Sequence, residues 1–317
     1  MSGQLEPVRC GYVPVLIYTP LLLARELGYY RSQGIEVHLE RLDTGQPTVS
    51  NLLAGSFDIA AGGPGPDFWH SIAEGHDLRI IAPMHAERPP AATPLIARAD
   101  LFDRGEVDTV GDLHGRPVAA PSRGVPLFWL AAALESGGLT IDDVELRVVP
   151  YAEVGPAFER GEIDAAILGE PLVADLIERG LAARLASDFV DGLQPTYLYT
   201  TAENLQNHRA EITRFVTAYL MACDDLESRD PQRDWNAPAT VRLISSFTDV
   251  PDDEVEESMH PTFEPEATFH EGSLERLYEF FIARGAIQPI PNFKPSSLID
   301  RSVATEALER RRATRQS

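Results

Sequence analysis

Two glycine-marked loops with different chemistry stand about a hundred residues apart, and each follows a short apolar run. The first loop contains Gly63 and Pro64, where missing side chains let a ligand approach the backbone closely. The second contains Glu170, which would accept a hydrogen bond from a ligand amine, amide or ring N–H, or else cap the helix starting at Pro171. If both runs are strands of α/β sheets, the loops lie at carboxyl ends and predict two walls of one cleft. Ordinary helix-to-strand turns are the alternative interpretation.

An anion site is predicted at the segment Ser122, Arg123 and Gly124. The segment joins a predicted strand to a helix N-terminus, where free N–H groups and the helix dipole favour negative charge. The Arg123 guanidinium would bind a carboxylate, sulfonate or phosphate in bidentate fashion and would balance the charge of Glu170. A solvated arginine in a turn is the alternative.

Further ligand contacts are expected from aromatic residues and from one loop end. Tyrosine rings are suited to stacking on a flat ligand, although Tyr18 would equally fix its loop to the next helix. Thr44 and Gly45 precede a helix, so they would present donors to a ligand or simply cap that helix. The remaining candidates are Tyr12, Pro14, Tyr151 and Tyr197.

Evidence for catalysis is sparse. Cys10 is the one candidate nucleophile, with His38, His70 or His85 as a base, and an inert buried thiol within a strand is the alternative. No catalytic residue, metal or cofactor is therefore predicted, with Cys10 and His70 kept as the catalytic alternative. A group of acidic and histidine side chains fits a solvated cluster better than a metal site, because its spacing is irregular. Its members are His260, Glu264, Glu266, His270 and Glu271.

Composition limits the partners. The 317 residues carry 49 acidic and 27 basic side chains, a formal net charge of -22, which disfavours nucleic acid and anionic membranes. No apolar run reaches the roughly 18 residues needed to cross a bilayer. The first residues lack the features of a secretory signal. We therefore expect a periplasmic or cell-surface protein if a signal has been removed, and a cytoplasmic one if Met1 is the native start.

The elements that position these residues alternate between strands and helices. Strands are predicted at 8–12, 35–40 and 78–84 with helices between them, and the pattern restarts with strands at 116–120 and 144–149. This order predicts an α/β fold of two doubly wound lobes around a central ligand cleft. The predicted first lobe comprises residues 1–90 and 200–317, including C-terminal helices, and the predicted second lobe residues 91–199. A return strand is expected at 196–200, and disorder is expected for the polar tail at 310–317.

Several of these segments resemble a known family. The sequence Cys10-Gly11-Tyr12-Val13-Pro14, the segment Leu53-Ala54-Gly55-Ser56-Phe57-Asp58 and the segment Gly169-Glu170-Pro171 occur in the order found in solute-binding proteins for nitrate, sulfonates and thiamine-pyrimidine precursors. The resemblance implies a type 2 periplasmic-binding-protein fold that closes over a ligand and delivers it to the permease of an ABC importer. It covers about residues 8–201 well and the C-terminal helices loosely.

Two functions are therefore weighed. The favoured one is capture of an anionic or aromatic small ligand, such as a sulfonate, a carboxylate or a pyrimidine-like ring, by hinge closure near Ala91 and Tyr197. The alternative is a cytoplasmic enzyme on the same fold, because a few proteins resembling this family are enzymes. It would be a desulfinase- or decarboxylase-like lyase or hydrolase acting on an aromatic acid, with Cys10 as nucleophile.

Overall fold

The computed structural model describes residues 5–45 and 47–316, and the predicted α/β class is confirmed. The strands are β1 (Glu6–Tyr12), β2 (Ile35–Arg41), β3 (Ala60–Gly62), β4 (Leu78–Pro83), β5 (His85–Ala86), β6 (Leu95–Arg98), β7 (Pro117–Ala120), β8 (Glu145–Val148), β9 (Ala165–Ile167), β10 (Ala182–Ala186), β11 (Tyr197–Thr201) and β12 (Thr262–Phe263). The helices are α1 (Thr19–Glu26), α2 (Tyr29–Ser32), α3 (Thr48–Leu53), α4 (Pro66–Ala73), α5 (Ala99–Asp103), α6 (Val125–Ser136), α7 (Val154–Glu159), α8 (Leu172–Glu178), α9 (Ala202–Leu226), α10 (Pro238–Thr248), α11 (Asp252–Glu256), α12 (Ser273–Ala283) and α13 (Arg301–Gln316). Short 3-10 turns occur at Leu16–Tyr18, Val110–Leu113, Ile141–Asp143, Tyr151–Glu153 and Pro295–Leu298.

Strands of the predicted first lobe form two groups. β1 and β2 pair in parallel, as expected for a strand-helix-strand unit. The return strand β11 lies between β3 and β4 and is antiparallel to both, so this sheet is less parallel than the sequence predicted. The backbone of Arg9 in β1 exchanges hydrogen bonds with Asp58 just before β3, which joins the two groups.

The second sheet has five strands in the order β10-β6-β9-β7-β8. The strands β7, β8 and β9 are parallel, as the alternating pattern predicts. The strands β6 and β10 were not predicted, and they add an antiparallel edge. They are short, and the residues beside β6 belong to a proline-rich connector that gives no alternating signal.

Two chain segments cross between the sheets side by side. The N–H of Glu87 donates to the carbonyl of Leu193 at 2.9 Å, and the N–H of Ala91 donates to that of Ser187 at 2.8 Å. The segments near Ala91 and Tyr197, where hinge motion is predicted, are therefore neighbours. The exact boundaries of the two predicted lobes remain a prediction.

The C-terminal helices mostly cover the predicted first lobe. α9 packs on α1, α2 and α13, and its apolar side chains join one core with those of β1 and β2. α12 also reaches α6, where the rings of Phe280 and Phe128 lie 5.3 Å apart in an edge-to-face arrangement. The predicted disorder of the tail was wrong up to Gln316, because α13 buries Val303, Ala307 and Arg311 against α9 and its neighbours. Ser317 lies outside the described residues.

Candidate functional site

A central cavity of about 860 Å³, counted up to its open mouth, lies between segments of the two predicted lobes. Its walls come from loops at the carboxyl ends of strands and from the first turns of helices, where α/β sheets bind ligands. The lining is mostly apolar and includes three aromatic residues. The lining residues are Val13, Val15, Leu16, Ile17, Tyr18, Gly45, Gly63, Gly65, Asp67, His85, Ala92, Thr93, Ser122, Gly124, Val125, Pro126, Trp129, Tyr151, Gly169, Glu170 and Thr196.

The structure brings seven of the predicted ligand-binding residues together in this lining. They are Tyr18, Gly45, Gly63, Ser122, Gly124, Tyr151 and Glu170. The other predicted contacts, Tyr12, Pro14, Thr44, Pro64, Arg123 and Tyr197, do not line the central cavity. Neighbouring residues of one loop therefore differ in whether they face the cavity, and the sequence alone does not specify which of them do.

Two of the aromatic candidates, Tyr12 and Tyr197, pack against core side chains and do not line the central cavity. The ring of Tyr12 packs edge-on against Phe247, with centroids 6.1 Å apart. Tyr197 lies in β11, where its hydroxyl donates to the carbonyl of Gln194 at 2.7 Å and its ring stacks on Phe269. Tyr18, in contrast, lines the cavity while its hydroxyl donates to the carbonyl of Ala61 at 3.3 Å.

Arg123 is exposed and lies in a neighbouring space, here called the side cavity. The side cavity also contains His70 and Arg284, and it shares Asp67 and Gly124 with the central cavity. Arg284 is already paired with Asp142 across two contacts of 2.9 Å. Arg123 therefore does not reach the central cavity, where the sequence placed an anion site.

Glu170 is paired with Arg184, whereas the sequence expected Arg123 to balance it. The carboxylate of Glu170 is buried, accepts from Arg184 Nη2 at 2.6 Å and accepts from the N–H of Ala174 at 3.1 Å, so it also caps α8. Burial raises the pKa of this carboxyl, and the guanidinium of Arg184 opposes that rise. The carbonyl of Glu170 accepts from the N–H of Leu16 at 3.0 Å, which links opposite walls of the cavity.

Asp67 is the second carboxyl in the cavity. It is half-buried in the first turn of α4. Burial raises its pKa, while the N–H groups of Phe68 and of Asp67 itself oppose that rise. No ion pair joins Asp67 to an Arg or Lys among residues 5–45 and 47–316.

His85 is a buried polar residue at the cavity that the sequence named only as a conceivable base. Its Nδ1 lies 2.6 Å from Thr196 Oγ1, so the ring joins the two segments that cross between the sheets. Its Nε2 has no hydrogen-bond partner and lies 3.5 Å from Glu87 Oε1. The Glu87 carboxylate accepts from the N–H of Ala92 and the hydroxyl of Thr93.

Cys10 is fully buried in the core formed with β2 and α1, and it is not among the lining residues. Burial raises the pKa of its thiol far above the ordinary range, so the reactive thiolate is suppressed. His70 is exposed and lines the side cavity. The structure therefore does not bring these two catalytic alternatives together at the central cavity.

The acidic and histidine side chains between 260 and 271 are engaged in other contacts. His270 lies 2.8 Å from Glu264 through Nε2 and 2.6 Å from the carbonyl of Gly192 through Nδ1, and His260 stacks on Trp235. Across the described residues, no group of three or more His, Cys, Asp or Glu side chains is arranged to hold a metal ion. The same residues include no helix with the length and apolar character needed to cross a bilayer.

Glycines let the two walls meet. A Cβ added at Gly63 would lie 2.2 Å from Val125 Cγ2, and one at Gly65 would lie 3.6 Å from the Cα of Gly124. The two glycines follow β3 in the predicted first lobe, while Gly124 and Val125 begin α6 in the predicted second lobe. The glycine loop is thus needed for close approach of wall to wall.

Comparison with known proteins gives a family match and a fold. Residues 2–244 match the model of the NMT1-like family. The chain is 29% identical over 198 residues to the bicarbonate transport ATP-binding protein CmpC of Synechococcus elongatus, and the match covers 56% of this chain and 28% of CmpC. The chain thus spans less than a third of that curated relative.

Two solved structures share the fold. The alkanesulfonate-binding protein SsuA from Xanthomonas axonopodis pv. citri bound to MOPS has a TM-score of 0.76 at 18% identity, covering 95% of this chain and 100% of SsuA. The periplasmic nitrate-binding protein NrtA from Synechocystis PCC 6803 has a TM-score of 0.77 at 15% identity, covering 97% and 89%. The predicted periplasmic-binding-protein fold is confirmed.

Proposed function

The chain belongs to the NMT1-like family, and on that premise we propose that it is the substrate-binding protein of an ABC-type importer. It captures a small molecule in the central cavity and closes its two lobes around it. The observation that carries this proposal is the position of the cavity. Segments of both predicted lobes line it, and two adjacent crossing segments join the sheets. Such an arrangement suits hinge closure around a ligand that touches both walls.

The proposed partner is the permease of an ABC importer. The names of the proteins that the chain resembles support import: CmpC is a transport ATP-binding protein, and NrtA is a periplasmic nitrate-binding protein. The proposed place of action is therefore the periplasm or the cell surface. Capture in this compartment requires affinity for the solute and no chemical step.

The enzyme alternative receives no support from Cys10. A nucleophile must reach the substrate as a thiolate, but Cys10 lies in the core with a raised pKa and outside the central cavity. Ser122 also lines the cavity, but its hydroxyl accepts from the N–H of Gly124, and no hydrogen bond joins it to His85, Asp67 or Glu170 among the described residues.

Isothermal titration calorimetry of the purified protein tests the proposal. The probes are nitrate, methanesulfonate, benzenesulfonate, benzoate, benzamide and benzamidine, so that anions, a neutral amide and a cation are compared. We expect one-to-one binding of at least one probe, which mass spectrometry recovers unchanged. Absence of binding by all six, or conversion of a bound probe into a product, would contradict the proposed function.

A further inference from the structure

We propose that the central cavity selects a flat, ring-containing ligand that carries N–H donors and no net negative charge, and that it discriminates against anions. This inference rests on the proposed function and names the ligand class for the same cavity. It separates this chain from the sulfonate- and nitrate-binding proteins whose fold it shares.

The cavity is lined by one carboxyl residue without an Arg or Lys partner and by no permanent cation. No arginine or lysine lines it among the described residues, whereas Asp67 does. Glu170 lines it too, but its side chain is fully buried and its charge is balanced by Arg184. The nearby guanidinium of Arg184 is committed to Glu170 at 2.6 Å. A sulfonate or carboxylate entering this space would lose its water without gaining a cationic partner, which is costly.

The helix N-termini at the cavity offer fewer backbone N–H donors than usual. The helices α4 and α6 direct their N-termini at the cavity, but Pro66 and Pro126 in their first turns have no N–H. The carboxylate of Asp67 already occupies the positive end of α4. At α6 the N–H of Gly124 donates to Ser122 Oγ at 3.2 Å.

At the N-terminus of α8, the carboxylate of Glu170 accepts from the N–H of Ala174 and so caps the first turn. Helix N-termini favour an anion in general. Here a carboxylate of the protein uses this end of α4 and of α8, and a proline in the first turn removes an N–H donor from α4 and from α6. An incoming anion would therefore meet the like charge of Asp67 at α4 and fewer N–H donors than a phosphate or sulfonate site presents.

His85 does not reverse this balance. Its Nε2 lacks a hydrogen-bond partner, but the nearest charged group is the buried carboxylate of Glu87, 3.5 Å away. No Arg or Lys pairs with Glu87 in the described part of the chain, so a positive charge on His85 would be balanced by Glu87 before any ligand arrived. The ring is thus available to hydrogen-bond a ligand without supplying net positive charge.

The remaining features favour a ring with N–H donors. Tyr18, Trp129 and Tyr151 present aromatic surface, on which a flat ring packs well. The Asp67 carboxylate has spare acceptor capacity and pairs with no Arg or Lys among the described residues, although His70 on the same helix interacts with it electrostatically. A ligand N–H group, or an amidinium with two N–H groups, can donate a hydrogen bond to this carboxylate, whereas an anion without donors cannot.

Four probes that share one benzene ring isolate the charge of the ligand. We expect benzamide and benzamidine to bind the unmodified protein at least about tenfold more tightly than benzoate and benzenesulfonate, as measured by isothermal titration calorimetry. The factor corresponds to one charge-assisted hydrogen bond gained or left unmade. Tighter binding of benzoate or benzenesulfonate would overturn the inference and leave the solute-binding function standing, whereas failure of every probe would overturn both.

The Asp67→Asn variant tests whether the Asp67 carboxylate causes the preference for ligands with N–H donors. We expect it to weaken benzamidine binding about tenfold and to change benzamide binding less than about threefold, because the amide keeps one acceptor and loses the charge. Glu74→Gln is the matched control, since Glu74 is exposed at the other end of α4 and its replacement changes the net charge equally. Thermal unfolding of both variants checks that they fold. Unchanged benzamidine affinity in folded Asp67→Asn contradicts the role of this carboxylate.

Discussion

Replacing Gly63 by alanine should hold the two walls of the central cavity apart. The backbone of Gly63 does not adopt a left-handed conformation, so alanine introduces no local strain there. The added Cβ would lie 2.2 Å from Val125 Cγ2 and 3.0 Å from both Val125 Cβ and the carbonyl of Pro195. Because the Val125 contact joins the predicted lobes, the substitution should destabilise the closed form more than the open form.

The magnitude follows from overpacking. An extra methyl group forced into a packed contact costs about 1–3 kcal/mol. If the ligand is bound only in the closed form, this cost appears as a loss of affinity of about fivefold to about a hundredfold. The thermal stability of the ligand-free protein should change less than the ligand affinity does, because the lobes can separate when no ligand is bound.

Calorimetric titration with benzamide provides the assay, with two further variants. Gly169→Ala is the matched control, because its Cβ would lie 3.6 Å from Val15 Cγ1, an ordinary contact across the same cavity. Val125→Ala combined with Gly63→Ala removes the atom at 2.2 Å and should restore most of the affinity, as a double-mutant cycle measures. If Gly63→Ala binds as tightly as the unmodified protein, the glycine contact is not part of the ligand-bound form.

Three further outcomes are expected. Arg184→Met leaves the buried Glu170 without its cation and should lower the free energy of unfolding by about 2 kcal/mol, less than for a fully buried pair because Arg184 is 28% exposed. Adding Glu170→Gln should recover part of that loss in urea denaturation, and an additive loss would contradict the pairing. Burial against Trp235 lowers the pKa of His260 to about 4 from its ordinary 6.5. Between pH 6.5 and about pH 4 the imidazole is therefore protonated in the unfolded chain and neutral in the folded protein. The free energy of unfolding consequently falls as the pH drops from 6.5 to about 4. Between pH 7.5 and pH 4.5 the unmodified protein should lose about 2 to 3 kcal/mol more than His260→Gln, and equal losses would refute the assignment. Cys10 should resist a thiol reagent such as 5,5′-dithiobis(2-nitrobenzoic acid) until the protein is unfolded, and rapid modification of the folded protein would reopen the enzyme alternative.

The sequence predicted the elements better than the directions of side chains. Helix-to-strand order and glycine turns are local signals, and they located the loops at Gly63, Gly124 and Glu170 that line the cavity. Which residue of a loop faces the ligand depends on backbone angles. Arg123 therefore points away while its two neighbours, Ser122 and Gly124, line the cavity.

Other features had no local signal. His85 and Thr196 meet only because two distant segments cross between the sheets. Arg184 pairs with Glu170 because the unpredicted edge strand β10 carries it there. Trp129 was the exception, since it follows Val125 by one helical turn and shares its face of α6, a spacing visible in the sequence.

The most direct test of the central claim is the distance between the two predicted lobes with and without ligand. Spin labels at Glu36→Cys in β2 and Glu145→Cys in β8 lie on exposed positions, and the native Cys10 and Cys223 are both buried. Pulsed electron paramagnetic resonance should give a broad distance distribution for the free protein and a single, shifted one at saturating benzamide. An identical distribution in both samples, with benzamide bound as shown by calorimetry, would contradict capture by closure of two lobes.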